Sequence, residues 1–189
     1  MSNTNDYWYW KKFITKDKIK EINSFINNNF DYYEDAQHPA KNVNNESKKT
    51  ALVKTIKYKK IKEHIADIVD TMVLTNQRDF GYILHGLNPF STINLNFYSE
   101  ENKSKYDWHN DSSSNDIHDI KLTGLVNVSE KEYEGGDFHI FNNNETKVNN
   151  FSEPGDMILF KSNLHHRVSP VVKGERRTLT IFFAGPKFR

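Results

Sequence analysis

From Thr15 onward the apolar positions Ile19, Ile22, Phe25 and Ile26 recur at helical spacing, with Thr15 placed to cap the first turn and Asp17 inside it. The spacing predicts an amphipathic helix. A second segment repeats the pattern more fully, since Ile61, Ile65, Ile68, Val69 and Met72 fall on one helical face. Between the two, residues 31–50 are polar, rich in Asn and Lys, and carry His38-Pro39. Such a stretch cannot bury enough apolar area to offset its ordering entropy, so it reads as a long loop able to act as a lid. Near the N-terminus, Tyr7-Trp8-Tyr9-Trp10 alternates like an edge strand, with packing rather than substrate contact as the expected role of Trp8 and Trp10.

Beyond Gly81 the period changes to two. Ile93, Leu95 and Phe97 share one strand face, while Thr92, Asn94, Asn96 and Tyr98 share the other. Shorter strand-like runs follow at 122–128, 138–141, 157–160 and 178–183, separated by Gly135-Gly136, Asn142-Asn143-Asn144 and Pro154-Gly155. The pattern predicts a mainly β fold with N-terminal helices (α+β), a sandwich or jelly-roll barrel. The length suits one domain over 1–189, with helical support over about 1–80 and the β core over about 81–189.

Charge narrows the function. Lys plus Arg number 26 and Asp plus Glu 25, a net charge of +1, which lacks the cationic footprint of a protein that grips a phosphate backbone. The absence of cysteine excludes disulfides and thiolate metal sites, so any metal must sit on N and O ligands. No apolar run approaches the ~18 residues of a membrane span, and Met1 to Trp10 lacks the pattern of a secretory signal. The chain reads as soluble and cytoplasmic, with no nucleic-acid or membrane partner.

Candidate chemistry begins at His109-Asn110-Asp111. Residues i and i+2 of a strand point to one side, so His109 and Asp111 can reach one ion while Asn110 faces away. A further imidazole comes from His165-His166, at the end of a strand-turn-strand path that can return to the same barrel mouth. Two imidazoles and a carboxylate hold Fe(II) on one face and leave the rest of its coordination open. Gly174-Glu175-Arg176 follows, and an arginine there suggests an anionic cosubstrate, because a guanidinium donates two parallel hydrogen bonds to a carboxylate. His-x-Asp alone occurs by chance; the combination carries the reading.

At Tyr106-Asp107-Trp108-His109-Asn110-Asp111, Gly135-Gly136-Asp137-Phe138, Pro154-Gly155-Asp156-Met157-Ile158-Leu159-Phe160 and His166-Arg167-Val168-Ser169-Pro170-Val171 with Gly174-Glu175-Arg176, the chain resembles the Fe(II)/2-oxoglutarate-dependent oxygenases, most of all their prolyl-hydroxylase-like branch. The resemblance covers about Ile93 to Pro186. It implies a double-stranded β-helix (jelly roll) core, with Fe(II) as cofactor, 2-oxoglutarate and O2 as cosubstrates and ascorbate in support. It makes His109, Asp111 and His166 the iron ligands, choosing His166 over His165 because the ligand stands immediately before Arg-Val. Arg176, ten positions beyond, would pair with the distal carboxylate of 2-oxoglutarate, and strand parity sets Arg177 on the opposite face. Thr178, on the same face as Arg176, adds a hydroxyl donor, and Tyr98 matches a tyrosine that contacts the cosubstrate.

Where the branch supplies a second tyrosine after His-x-Asp, this chain offers Thr123 and Asn127. Nucleic-acid demethylases of the superfamily carry a second arginine six positions after the first, where this chain has Phe182; Asp111 rules out the halide-binding variant. The implied reaction converts 2-oxoglutarate to succinate and CO2 and hydroxylates a protein or peptide side chain, proline first. A free amino acid or small metabolite is the alternative substrate, and a non-catalytic jelly-roll binding module the third reading. His85, His118 and His139 are expected to form ordinary hydrogen bonds or face solvent.

Overall fold

The computed structural model describes residues 6–30, 34–35, 48–113 and 118–187. Thirteen strands, two α-helices and a π-helical turn (Asn76–Phe80) are described: β1 (Tyr7–Trp10), α1 (Lys16–Asn29), β2 (Glu34–Asp35), β3 (Leu52–Lys57), α2 (Tyr58–Thr75), β4 (Thr92–Ser99), β5 (Tyr106–His109), β6 (His118–Asn127), β7 (Glu134–Gly135), β8 (Phe138–Asn142), β9 (Asn144–Lys147), β10 (Met157–Lys161), β11 (His165–Val168), β12 (Val171–Lys173) and β13 (Glu175–Pro186). They form a seven-stranded sheet ordered β1-β10-β6-β13-β4-β3-β2, a four-stranded sheet ordered β5-β11-β8-β9, and the pair β12-β7. The fold is mainly β with two helices near the N-terminus.

Both helices form where the apolar spacing predicts. Thr15 caps α1, its hydroxyl accepting from the Lys18 N–H at 3.2 Å, with Asp17 in the first turn. Ile61, Ile65, Ile68, Val69 and Met72 of α2 are all buried, at roughly 2 kcal/mol each. They pack on one face of the seven-stranded sheet, against Ile56, Ile93, Leu95, Leu122, Val126, Leu179 and Ile181. The helix comes so close that a Cβ on Gly124 of β6 would stand 2.4 Å from the Met72 sulfur.

The opposite face of that sheet contributes Tyr98, Leu125, Ile158 and Phe160 to a second core, completed by Phe138, Ile140 and Val168 of the four-stranded sheet. The two sheets thus pack face to face, and alternation along β4 and β13 sends one set of side chains to the helices and the other between the sheets.

Two strands begin well before their apolar centres. The run at 122–128 belongs to a strand beginning at His118, and that at 178–183 to one spanning Glu175–Pro186, because pairing with long neighbours extends strands past their apolar centres. The N-terminal portion is not purely helical support, since β1 closes one edge of the large sheet and β3 with β2 the other. β3 escaped the sequence reading because Leu52-Val53-Lys54-Thr55-Ile56-Lys57 breaks alternation with Lys54. That side chain is buried, its ammonium donating to the Phe30 carbonyl. Of the expected loop and lid over 31–50, the stretches 31–33 and 36–47 lie outside the described residues; β2 and residues 48–50 are described.

Pro154-Gly155-Asp156 makes a knot at the start of β10. Gly155 has φ +90, and a Cβ there would lie 2.4 Å from the Ile14 carbonyl oxygen. The fully buried Asp156 carboxylate accepts from the backbone N–H groups of Lys12 (3.0 Å), Ser152 (3.0 Å) and Glu153 (2.8 Å), and from Lys11 Nζ (2.7 Å). Asp156→Ala strands these donors, and is expected to cost about 3 kcal/mol, a fall of roughly 6–12 °C in the thermal midpoint by calorimetry. A shift below about 2 °C would refute the role given to this carboxylate.

Candidate metal centre

His109 ends β5 and His166 lies in β11, and the two residues are directly paired across the antiparallel ladder. Their rings come together at a centroid separation of 4.1 Å. Asp111 lies past the end of β5 rather than within it, so strand parity is not what aims it; its N–H donates to the Ser162 carbonyl at 2.8 Å, which pins the turn. The Asp111 carboxylate sits 3.6 Å from His109 Nε2 and 3.5 Å from His166 Nε2. One ligand atom from each residue lies within 4.8 Å of the others, a spacing one metal ion can bridge.

Second contacts set the tautomers. His109 Nδ1 is 2.7 Å from the Asp107 carbonyl and His166 Nδ1 is 2.9 Å from the Leu164 carbonyl. A carbonyl only accepts, so each Nδ1 carries a proton, which leaves Nε2, the nitrogen facing Asp111, as the atom each ring would offer a metal. Tyr106 stacks on His109 at 3.5 Å, while Phe160 and Phe138 pack on His166 at 4.7 and 5.4 Å. Two imidazole nitrogens and one carboxylate converging in this way fit a divalent first-row ion.

These residues line a cavity of about 140 Å³ between the sheets, room for a small organic acid. Arg176, from the inner face of β13, is 1 % exposed. Its guanidinium lies 5.2 Å from the Tyr98 ring centre and 5.7 Å from that of Phe151, and its Nε and Nη2 have no hydrogen-bond partner among the described residues. A buried guanidinium with unmet donors on a cavity wall can take a carboxylate as its partner. Gly136, at φ +62, makes room for it: a Cβ there would stand 2.8 Å from Arg176 Cδ. Thr178 and Tyr98 line the same cavity. Burial pushes the Tyr98 phenol up to about 12, against the opposing pull of Arg176, and raises Tyr106 still further, so both remain O–H donors at neutral pH.

The other candidates fall outside. His165 is exposed, with Nε2 3.4 Å from the Asn110 side chain, and Arg177 stacks over Phe97 on the helix-side face. His139 pairs with Glu145 at 2.7 Å. Asn127 donates to the Tyr133 hydroxyl at 2.8 Å rather than reaching the cavity, and Thr123 is fully buried. Lys49, Asn94, Asn96, Tyr106, Thr180 and Phe182, none of them expected as site residues, also line the cavity. Parity with Tyr98 could have found the asparagines and parity with Arg176 could have found Thr180 and Phe182; for Lys49 no local signal exists.

Residues 93–184 match the family model of the 2OG-Fe(II) oxygenase superfamily, a span that holds the three converging side chains and Arg176. The match is to the part of the chain that carries the site and spans just under half of its length. The superfamily implies Fe(II) and 2-oxoglutarate, and the side chains present fit both: the imidazoles and carboxylate the metal, the unmet Arg176 donors a carboxylate. No curated protein matches the chain significantly. Among solved structures, a Pseudomonas putida prolyl-4-hydroxylase superposes with TM-score 0.73 at 16% identity, covering 97% of this chain and 95% of that one. A Trichoplax adhaerens prolyl hydroxylase in complex with a hypoxia inducible factor peptide fragment gives 0.69 at 17%, covering 96% and 84%. A non-heme alpha-ketoglutarate-dependent carbocyclase from nogalamycin biosynthesis gives 0.67 at only 7%, covering 96% and 80%. At such identities the likeness establishes a shared fold. No helix among the described residues is long and apolar enough to cross a membrane.

Proposed function

We propose that this chain is a 2OG-Fe(II) oxygenase, a hydroxylase whose facing sheets form a double-stranded β-helix in a single domain, with His109, Asp111 and His166 holding Fe(II) and Arg176 holding the distal carboxylate of 2-oxoglutarate. The observation that carries this reading is the buried, unmet guanidinium of Arg176 in the same 140 Å³ cavity as the three converging ligand atoms. Iron with 2-oxoglutarate supplies the oxidising chemistry, yielding succinate and CO2 as one oxygen of O2 enters the substrate. The chain positions and shields. The Nδ1 contacts to Asp107 and Leu164 orient both imidazoles with Nε2 toward the metal position, Tyr98 and Thr178 offer hydroxyl donors beside Arg176, and Phe138, Leu125 and Val168 give the cavity an apolar lining.

The substrate we infer is a protein or peptide side chain, with proline first, supported by the prolyl hydroxylases among the structural neighbours. The carbocyclase neighbour supports a second reading, the same chemistry on a small metabolite. Retention of the metal-binding set and of Arg176 weighs against a non-catalytic binding module. The experiment is succinate production across peptide and amino-acid pools, with mass spectrometry for a gain of one oxygen. His109→Ala should lower succinate formation by at least ~100-fold, beyond the loss typical of an outer contact. Equal turnover in the variant would refute the assignment.

A further inference from the structure

The cavity holds a second cation with no part in metal or cosubstrate binding as assigned above. Lys49 is fixed there by backbone: it bridges Tyr106, the Asp107 N–H donates to the Lys48 carbonyl at 2.8 Å, and the Thr50 N–H donates to the Lys105 carbonyl at 3.1 Å. Its ammonium donates to Asn96 Oδ1 at 2.7 Å and lies 4.7 Å from the Tyr106 ring centre. Asn96 Nδ2 donates in turn to Thr180 Oγ1 at 2.8 Å, which leaves the threonine proton to be donated. With Asn94 these groups make a polar wall. In the β4-β13 register Asn96 faces Thr178 and Asn94 faces Thr180, so the wall starts one rung beyond the Arg176-Tyr98 rung, roughly 7 Å along the strands.

Charge indicates what this wall recognises. Among the described residues that line the cavity, Lys49 and Arg176 are cationic and Asp111 anionic, with both imidazoles neutral as ligands. Adding a divalent metal and a dianionic cosubstrate brings the sum of these formal charges to +1, the complement of one further carboxylate. Desolvation lowers Lys49 to about 8, opposed by Asp111, the same carboxylate a metal would engage.

We propose that Lys49, with Asn94, Asn96 and Thr180, binds a carboxylate on the primary substrate, an anionic handle that places the bond to be oxidised beside the metal. The proposal deepens the hydroxylase reading and rests on it. That carboxylate can belong to a free amino acid or to an acidic side chain next to a peptidyl proline, and the test separates the two.

Protein loaded with Mn(II) and 2-oxoglutarate under nitrogen is mixed with matched probes, and paramagnetic broadening of probe protons is read by NMR without turnover. One arm pairs N-acetyl amino acids with their N-methylamides; the other pairs acetyl-glutamyl-proline N-methylamide with its glutaminyl counterpart. We expect the carboxylate member of at least one arm to bind tenfold or more tightly than its neutral twin. Lys49→Met should erase that preference and Lys49→Arg retain most of it. Equal binding of twins, binding in neither arm, or preference surviving in Lys49→Met overturns the proposal. Loss of broadening of 2-oxoglutarate itself in Lys49→Met also overturns it, by assigning Lys49 to the cosubstrate. Absence of that broadening in the wild type instead sinks the underlying reading, and this inference with it.

Discussion

Arg176→Met is expected to weaken 2-oxoglutarate binding roughly 10²–10³-fold, about 3–4 kcal/mol, while leaving the ligand-free protein as stable as the wild type or more so. The two effects have opposite signs for one reason. In the free protein Arg176 is a buried cation with Nε and Nη2 unmet, so an apolar side chain of similar length removes a desolvated charge and keeps contact with Tyr98 and Phe151. In the complex the same substitution leaves a buried carboxylate without its counter-charge. A folding defect would move both quantities down together. Arg176→Lys retains the charge but not the parallel pair of donors, and should fall between, near a tenfold loss. Calorimetric titration of Mn(II)-loaded protein and thermal unfolding of the metal-free form measure the two quantities. Affinity within threefold of the wild type in Arg176→Met would remove this arginine from the cosubstrate site.

How far the site was legible from the sequence depends on how far each residue's placement is local. Arg176, Thr178 and Tyr98 could be set on one wall because strand alternation is a rule of period two, and β4 and β13 are long, regular and paired without a bulge from Ser99 to Ile93. His166 over His165 and Arg176 over Arg177 follow from the same alternation once the fold exists. Asp111 reaches the site by a different route from the one expected: it lies beyond β5 and is aimed by its bond to the Ser162 carbonyl, a contact across 51 positions that no local pattern reveals. Lys49 is the extreme case. It lies in a polar segment that reads as loop, and enters the cavity only because residues 48–50 pair with the strand carrying Tyr106, and because its partner Asn96 stands 47 positions away. β3 was hidden for a related reason, since Lys54 breaks the apolar alternation while burying its stem and reaching the Phe30 carbonyl. Periodicity therefore identifies surfaces, and side chains that arrive from irregular segments need coordinates.

The metal site yields the other large effect. In Asp111→Asn the side chain keeps its shape and loses its charge, so the metal-free protein should unfold at the wild-type temperature. Asp111 is not part of either apolar core, and its backbone hydrogen bond to Ser162 survives the substitution. Metal binding should separate the two proteins. At a free Mn(II) concentration ~100 times its dissociation constant, the wild type gains about 2.7 kcal/mol by linkage, a rise of roughly 5–11 °C for a chain of this size. In the variant two neutral imidazoles remain, and neutral ligands do not offset the charge of a dication in a cavity already lined by Lys49 and Arg176. The rise should fall below about 2 °C, and succinate formation should fall with it by at least ~100-fold. A metal-dependent rise equal to the wild type's would mean that Asp111 is not a ligand, and that its 3.5–3.6 Å approaches to the two Nε2 atoms are ordinary ion-pair contacts.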